Sequence, residues 1–183
     1  MKIRIFIAIK IEDLALEKLI KIKNELFQNR ELNWEPKDKL HITLNFIGEV
    51  DEEVIPNLIT RLKKVANNYS PFVLNFSKFG LFKRKGIPSI LWAGIEENET
   101  LSNLHFEIDS ILSNIGFVKE SRNYRPHLTL IRFKKNIQNY NFESKLEKNI
   151  SDIKFKINGI SFFKSELKNS GSVYTEIKYI KLK

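Results

Sequence analysis

Leu40 to Gly48 reads LHITLNFIG, and Arg125 to Arg132 reads RPHLTLIR. Each stretch is a run of strand-forming residues carrying a histidine and, two positions later, a threonine: His41 with Thr43, and His127 with Thr129. Side chains at i and i+2 of a strand share a face, so each pair presents an imidazole and a hydroxyl side by side. The residues between them, Ile42, Leu44 and Phe46 in one copy and Leu128 and Leu130 in the other, fall on the opposite face, which the alternation assigns to a core. Two polar pairs, each backed by an apolar face, can meet across a cleft.

Outward from these stretches, the chain reads as alternating strands and amphipathic helices. Ile3, Ile5, Ile7 and Ile9 alternate with Arg4, Phe6 and Ala8, a strand with two different faces. The spacing of Leu16, Leu19, Ile20, Leu26 and Phe27 predicts a helix from Asp13 to Gln28. A second helix carries Val54, Leu58, Leu62 and Val65 and starts close to Pro56, which is awkward in a helix interior. Phe72 to Phe82, with a break near Gly80, and Ser89 to Ile95 read as strands around a basic turn, Lys83 to Gly86. That turn is read first as a solvated hairpin tip and second as an RNA-phosphate contact; Lys134 and Lys135 are further candidate RNA contacts. Asn98 to Ile115 is a third helix closed by Gly116, with His105 at the edge of its apolar face, a structural histidine on this reading. Phe142 to Asn149 is a short helix, and Ile153 to Phe163 and Val173 to Leu182 are closing strands.

The 183 residues suit one domain, spanning 1-183, and bury a sizeable core. A formal net charge of +9, from 31 basic and 22 acidic side chains, favours polyanionic partners or simply a lysine-rich surface. The absence of cysteine excludes disulfides, thiolate metal sites and a cysteine nucleophile. The opening MKIRIFIAIKIED alternates like a strand and lacks a cleavage site, so a signal peptide is rejected and a soluble, cytoplasmic protein away from membranes is expected.

A phosphodiester reaction needs a base to activate an oxygen nucleophile and an acid to protonate the leaving oxygen. Two histidines near neutral pKa supply both, one neutral and one protonated. Threonine hydroxyls can donate to non-bridging phosphate oxygens, where charge builds in the transition state. A metal site is disfavoured because no carboxylate cluster accompanies either histidine at ligand spacing; no metal and no cofactor are expected. No G-x-S-x-G, Walker or G-x-G-x-x-G pattern is present.

With these blocks in view (IRIFIAI, NWEPKDKLHITLNFIGEV, FGLFKRKGIPSILWAGI, GFVKESRNYRPHLTLIR and SELKNSGSVYTEI), the chain resembles the RNA 2′,3′-cyclic phosphodiesterase family, also called 2′-5′ RNA ligases, of the two-histidine phosphoesterase superfamily. The resemblance implies an α+β fold of two similar lobes. Two antiparallel sheets related by a pseudo-twofold would face a central cleft, with helices outside. It implies metal-independent hydrolysis of a terminal 2′,3′-cyclic phosphate on RNA to a 2′-phosphate. RNA so ended, tRNA fragments and nucleoside cyclic phosphates included, would be the partner of a monomer. His41 and His127 would be catalytic, with His127 the base on water and His41 the acid for the 3′-oxygen. Thr43, Thr129 and Arg132 would bind the phosphate. Strand parity places Arg132 opposite His127, so a bulge or the strand's end must turn it inward, or it is a surface charge. Phe46 matches a family position but is core by parity, and Ser165 and Tyr174 would be structural. Ligation or cleavage of 2′-5′ linkages, or RNA binding without chemistry, are the alternatives.

Overall fold

The alternating and helical patterns assemble, in a computed structural model, into eight strands and four α-helices among the described residues. The structure describes residues 1–28, 32–118, 122–133, 142–169 and 171–183; Lys134 and Lys135 lie outside them. In chain order the elements are β1 (Lys2–Lys10), α1 (Asp13–Leu26), β2 (His41–Asp51), α2 (Ile55–Ala66), β3 (Phe72–Arg84), β4 (Ile87–Ile95), α3 (Glu99–Ser113), β5 (His127–Arg132), α4 (Glu143–Leu146), β6 (Lys154–Ile157), β7 (Gly159–Lys168) and β8 (Gly171–Lys181).

The strand order is β6-β3-β4-β5-β2-β1-β7-β8, with every pairing antiparallel. It falls into two four-stranded halves, β6-β3-β4-β5 and β8-β7-β1-β2. The two His–Thr strands join them through the register Ile42↔Leu128. The halves are thus continuous at the centre. Because that pairing is antiparallel, His41 runs toward Thr129 and Thr43 toward His127, with all four on one face.

The opposite face is the core. Ile5, Ile7, Ile9, Ile42, Leu44, Leu91, Leu128 and Leu130 are buried there. Each side chain of that size contributes about 1.5–3 kcal/mol by leaving water. The helices cover this face. Leu58, Leu62 and Val65 of α2 and Leu101, Leu104, Ile108 and Leu112 of α3 supply the buried stripes. Those helices contact β7, β8 and β2, whereas Phe27, just past α1, packs edge-on against Phe79 of β3 at 5.3 Å. Pro56 sits in the first turn of α2, where a missing N–H costs nothing. Asn98 caps α3 by accepting from the Leu101 N–H at 2.9 Å.

Two expectations change. Gly80 does not break β3: the Trp92 ring lies where a Cβ would stand, so the strand continues beneath it to Arg84. Ile153 to Phe163 is not one strand. It divides at Asn158 into β6, which pairs with β3, and β7, which pairs with β1, so this segment carries the chain from one half to the other.

Candidate active site

Both motif strands depart from simple alternation at the same place, the leucine after the threonine. In β2, Ala8 faces Thr43 and Ile7 faces Asn45, so Leu44 is an extra residue. In β5, Trp92 faces Thr129 and Leu91 faces Ile131, so Leu130 is extra. Each is a β-bulge, and each reverses the parity of the residues beyond it. The burial sequence from the histidine onward is identical in the two strands, with two consecutive buried residues (Leu44–Asn45 and Leu130–Ile131) and then an exposed one.

The exposed residues are Phe46 and Arg132. Phe46 is therefore not core: it is 66% exposed and lies on the face of His41 and Thr43, its ring stacked on Phe6 at 5.6 Å. Arg132, on the face of His127 and Thr129, is near enough for its charge to act on both imidazoles, and its Nε lies 3.8 Å from Glu35. The bulge is the device that turns it inward.

Both imidazoles are anchored to backbone two residues upstream. The His127 Nδ1 lies 2.7 Å from the Arg125 carbonyl, which assigns Nδ1 the proton and leaves Nε2 for a substrate. His41 makes a backbone hydrogen bond at Lys39. Aromatic side chains wall each ring. His127 meets Phe82 edge-on at 4.9 Å and Trp92 at 6.3 Å. His41 contacts Phe6 at 5.0 Å, Phe163 at 6.0 Å and Tyr174 edge-on at 5.2 Å. Tyr174, which the resemblance marked as structural, thus borders His41 directly.

Burial in these walls pushes the His41 pKa down to about 4, opposed by the backbone bond at Lys39 and reinforced by the charges of Arg132 and His127. His127 is lowered in the same way, by burial and by Arg132, against the pull of the Arg125 carbonyl. Both rings are neutral near pH 7 without substrate. An anion bound beside them would offset the Arg132 charge and raise both pKa values.

The first bulge is held from behind. The His105 ring stacks on Tyr124 at 3.9 Å and 13°, and its Nδ1 lies 3.1 Å from the Leu44 carbonyl. The Tyr124 hydroxyl donates to the Thr43 carbonyl at 3.3 Å. Asn45, turned inward by the bulge, reaches Asp109 of α3 at 3.5 Å. His105 is structural, as its lack of a threonine partner indicated, but the structure it holds is the backbone that aims Thr43 and Phe46.

Beside His41 opens a cavity of about 600 Å³, lined among others by Leu16, Leu40, Phe163, Tyr174 and the Lys10–Glu176 pair. Among the described residues, no group of three His, Asp or Glu side chains is arranged to hold a metal ion. None of the described helices is long and apolar enough to cross a membrane.

The chain is similar to known proteins in sequence and in fold. Residues 20–169 match the family model of the 2′-5′ RNA ligase superfamily. An RNA 2′,3′-cyclic phosphodiesterase of Methanocaldococcus jannaschii is 33% identical over 180 residues, covering 96% of this chain and 98% of the relative. One from Thermotoga maritima is 30% identical over 177 residues, covering 93% and 91%. In fold, the chain is similar to TT0787 of Thermus thermophilus, with a TM-score of 0.85, 24% identity and coverage of 98% and 97%. It is also similar to E. coli LigT complexed with 3′-AMP, with a TM-score of 0.78, 22% identity and coverage of 100% and 99%.

Proposed function

We infer that this chain, which belongs to the 2′-5′ RNA ligase superfamily, is an enzyme that hydrolyses the 2′,3′-cyclic phosphate at an RNA end. The observation that carries the site assignment is the pair of bulged H-x-T strands meeting at the centre of the sheet, each with its histidine anchored from behind. The whole chain works as one domain of two similar lobes, with the cyclic phosphate seated where the lobes join.

In this reading Nε2 of His127 takes a proton from water as its oxygen attacks phosphorus. His41 gives a proton to the 3′-oxygen as the P–O3′ bond breaks. The product is a 2′-phosphate with a free 3′-hydroxyl, and the two imidazoles have exchanged protonation roles. His41 is assigned the acid role and must carry a proton when substrate is bound, which the anion's charge favours by opposing the downward shift that burial imposes. Thr43 and Thr129 donate to the non-bridging oxygens, and Arg132 offsets their developing charge. Phe46 offers a ring face to the terminal base. No step requires a metal ion.

The cavity beside His41 favours a second substrate for the same chemistry. It has room for a nucleoside on the far side of the phosphate, as cleavage or ligation of a 2′-5′ linkage would need.

The test is turnover of adenosine 2′,3′-cyclic phosphate in EDTA with product identification. His41→Ala and His127→Ala should each lose about 10²–10⁴-fold in kcat, with a 2′-phosphate as the wild-type product. Full activity in either variant, or activity that EDTA abolishes, would refute paired acid–base catalysis.

A further inference from the structure

The charges around the cleft are unequally distributed between the two lobes. In the half built on β1, β2, β7 and β8, most cations near the site are matched by carboxylates. Lys10 meets Glu176 at 2.8 Å, Lys164 meets Glu166 at 3.2 Å and Arg4 meets Glu49 at 3.7 Å. At the edge of the cavity, Lys37 lies 2.9 Å from Asp13 and 3.2 Å from Glu17. The other half differs: β3, β4 and β5 contain no acidic residue at all. Their basic residues are Lys78, which pairs with Glu147 at 3.3 Å, Arg132, whose Nε lies 3.8 Å from Glu35, and Lys83 and Arg84.

The β3–β4 hairpin ends in Lys83, Arg84 and Lys85, all exposed and, among the described residues, in no ion pair. Its tip is a tight turn with positive φ at Lys85 (52°) and Gly86 (79°), the geometry that suits a two-residue hairpin. Phe82 touches His127 from the cleft face. The β3–β4 irregularity nearest the tip skips Ser89 and leaves β3 in step from Phe79 onward, so Arg84 points to the same side as Phe82. The register Phe82↔Ile90 and Ile90↔Arg132 sets this tip at the Arg132 end of the cleft. A lane of positive charge runs along one lobe from Arg132, which also meets Glu35 at 3.8 Å, out to Lys83, Arg84 and Lys85.

We propose that the RNA strand bearing the cyclic end leaves the site over this hairpin, with Arg84 contacting a backbone phosphate upstream of the terminal nucleotide and Lys83 and Lys85 flanking it. An unpaired cation on a strand beside the site matches a polyanion that must continue past the reacting group; the carboxylate-matched lobe attracts it less. The contact rests on the reading of the site as acting on RNA ends, and it gives the cleft a direction.

The test combines Lys83→Ala, Arg84→Ala and Lys85→Asn in one protein, asparagine being tolerant of the left-handed backbone at the turn. Two readouts are compared: turnover of adenosine 2′,3′-cyclic phosphate, and anisotropy of a short fluorescein-labelled oligoribonucleotide with a 2′-phosphate end, over a salt series. Each lost phosphate contact should make the slope of log Kd against log salt shallower by about 0.7, and binding at low salt should weaken about tenfold or more. Mononucleotide turnover should stay at the wild-type value. Lys164→Ala with Lys168→Ala, on the β7–β8 hairpin, should leave the slope unchanged. An unaltered slope in the triple variant, or an equal change in the β7–β8 variant, overturns the lane. A triple variant that loses mononucleotide turnover to the same extent as oligonucleotide binding overturns it too. Wild-type protein that turns over no cyclic phosphate would sink the enzymatic reading, while the anisotropy arm still decides the lane.

Discussion

His41 should make the protein acid-sensitive by an amount that its burial sets. In the unfolded chain its imidazole titrates at the ordinary value near 6.5; in the fold it is pushed down to about 4. The unfolded state therefore binds more protons between these values, so stability is fully present above about pH 6.5 and is lost as pH falls toward 4. Between pH 7.5 and pH 4.5 this single group should remove about 2.5 kcal/mol. Carboxylates and His127 add their own dependences, which cancel when wild type is compared with His41→Gln, a variant that keeps a polar side chain of similar bulk without a titrating ring. Urea unfolding followed by the fluorescence of Trp34 and Trp92 measures the difference, with equal m-values as the check that both transitions expose the same surface. Wild type should lose about 2.5 kcal/mol more than the variant across that interval. Equal losses would mean that His41 takes up its proton at an ordinary pKa inside the fold. The aromatic wall around it would then not exclude water, and the argument for a pKa lowered by burial would fail.

Phe46→Ala should lower kcat/KM for adenosine 2′,3′-cyclic phosphate about tenfold, within the range for one lost base stack, and leave ribose 2′,3′-cyclic phosphate untouched; equal losses on both would show that the ring only supports Phe6. Gly80→Ala drives a Cβ into the Trp92 ring, so unfolding free energy should fall by about 1–3 kcal/mol and kcat should fall through the displaced wall of His127. Adding Trp92→Leu should restore the stability, and failure to do so would count against the packing argument. His105→Phe keeps the stack on Tyr124 but strands the Leu44 carbonyl, costing about 1–3 kcal/mol of stability. If His105 acts by aiming Phe46, its effect on kcat/KM should shrink in a Phe46→Ala background, and strict additivity of the two changes would refute that link.

Much of this was legible along the chain because strand and helix periodicities are local. Alternation placed Ile3 to Ile9 and the two His–Thr pairs on strands and chose the face of both histidines, and helical spacing found α1, α2 and α3. The pattern went wrong just where a neighbour decides. Phe46 read as core because parity was counted straight through Leu44, and β7 was merged with β6 because nothing in Ile153 to Phe163 records that its two halves pair with different strands.

The order of amino acids supplies the chemistry on offer: two imidazoles, two hydroxyls and one arginine, on strands with apolar backs. How these groups converge is a property of the folded sheet. A bulge exists only as a mismatch between two paired strands, so the extra residues Leu44 and Leu130 are set by the registers with β1 and β4. Those bulges bring Phe46 and Arg132 to the face of the two histidines. The walls that lower the histidine pKa values come from Phe6, Phe82, Phe163 and Tyr174, distant in sequence and adjacent only once the sheet is formed. Burial is a property of that assembled surface, and no single segment carries it.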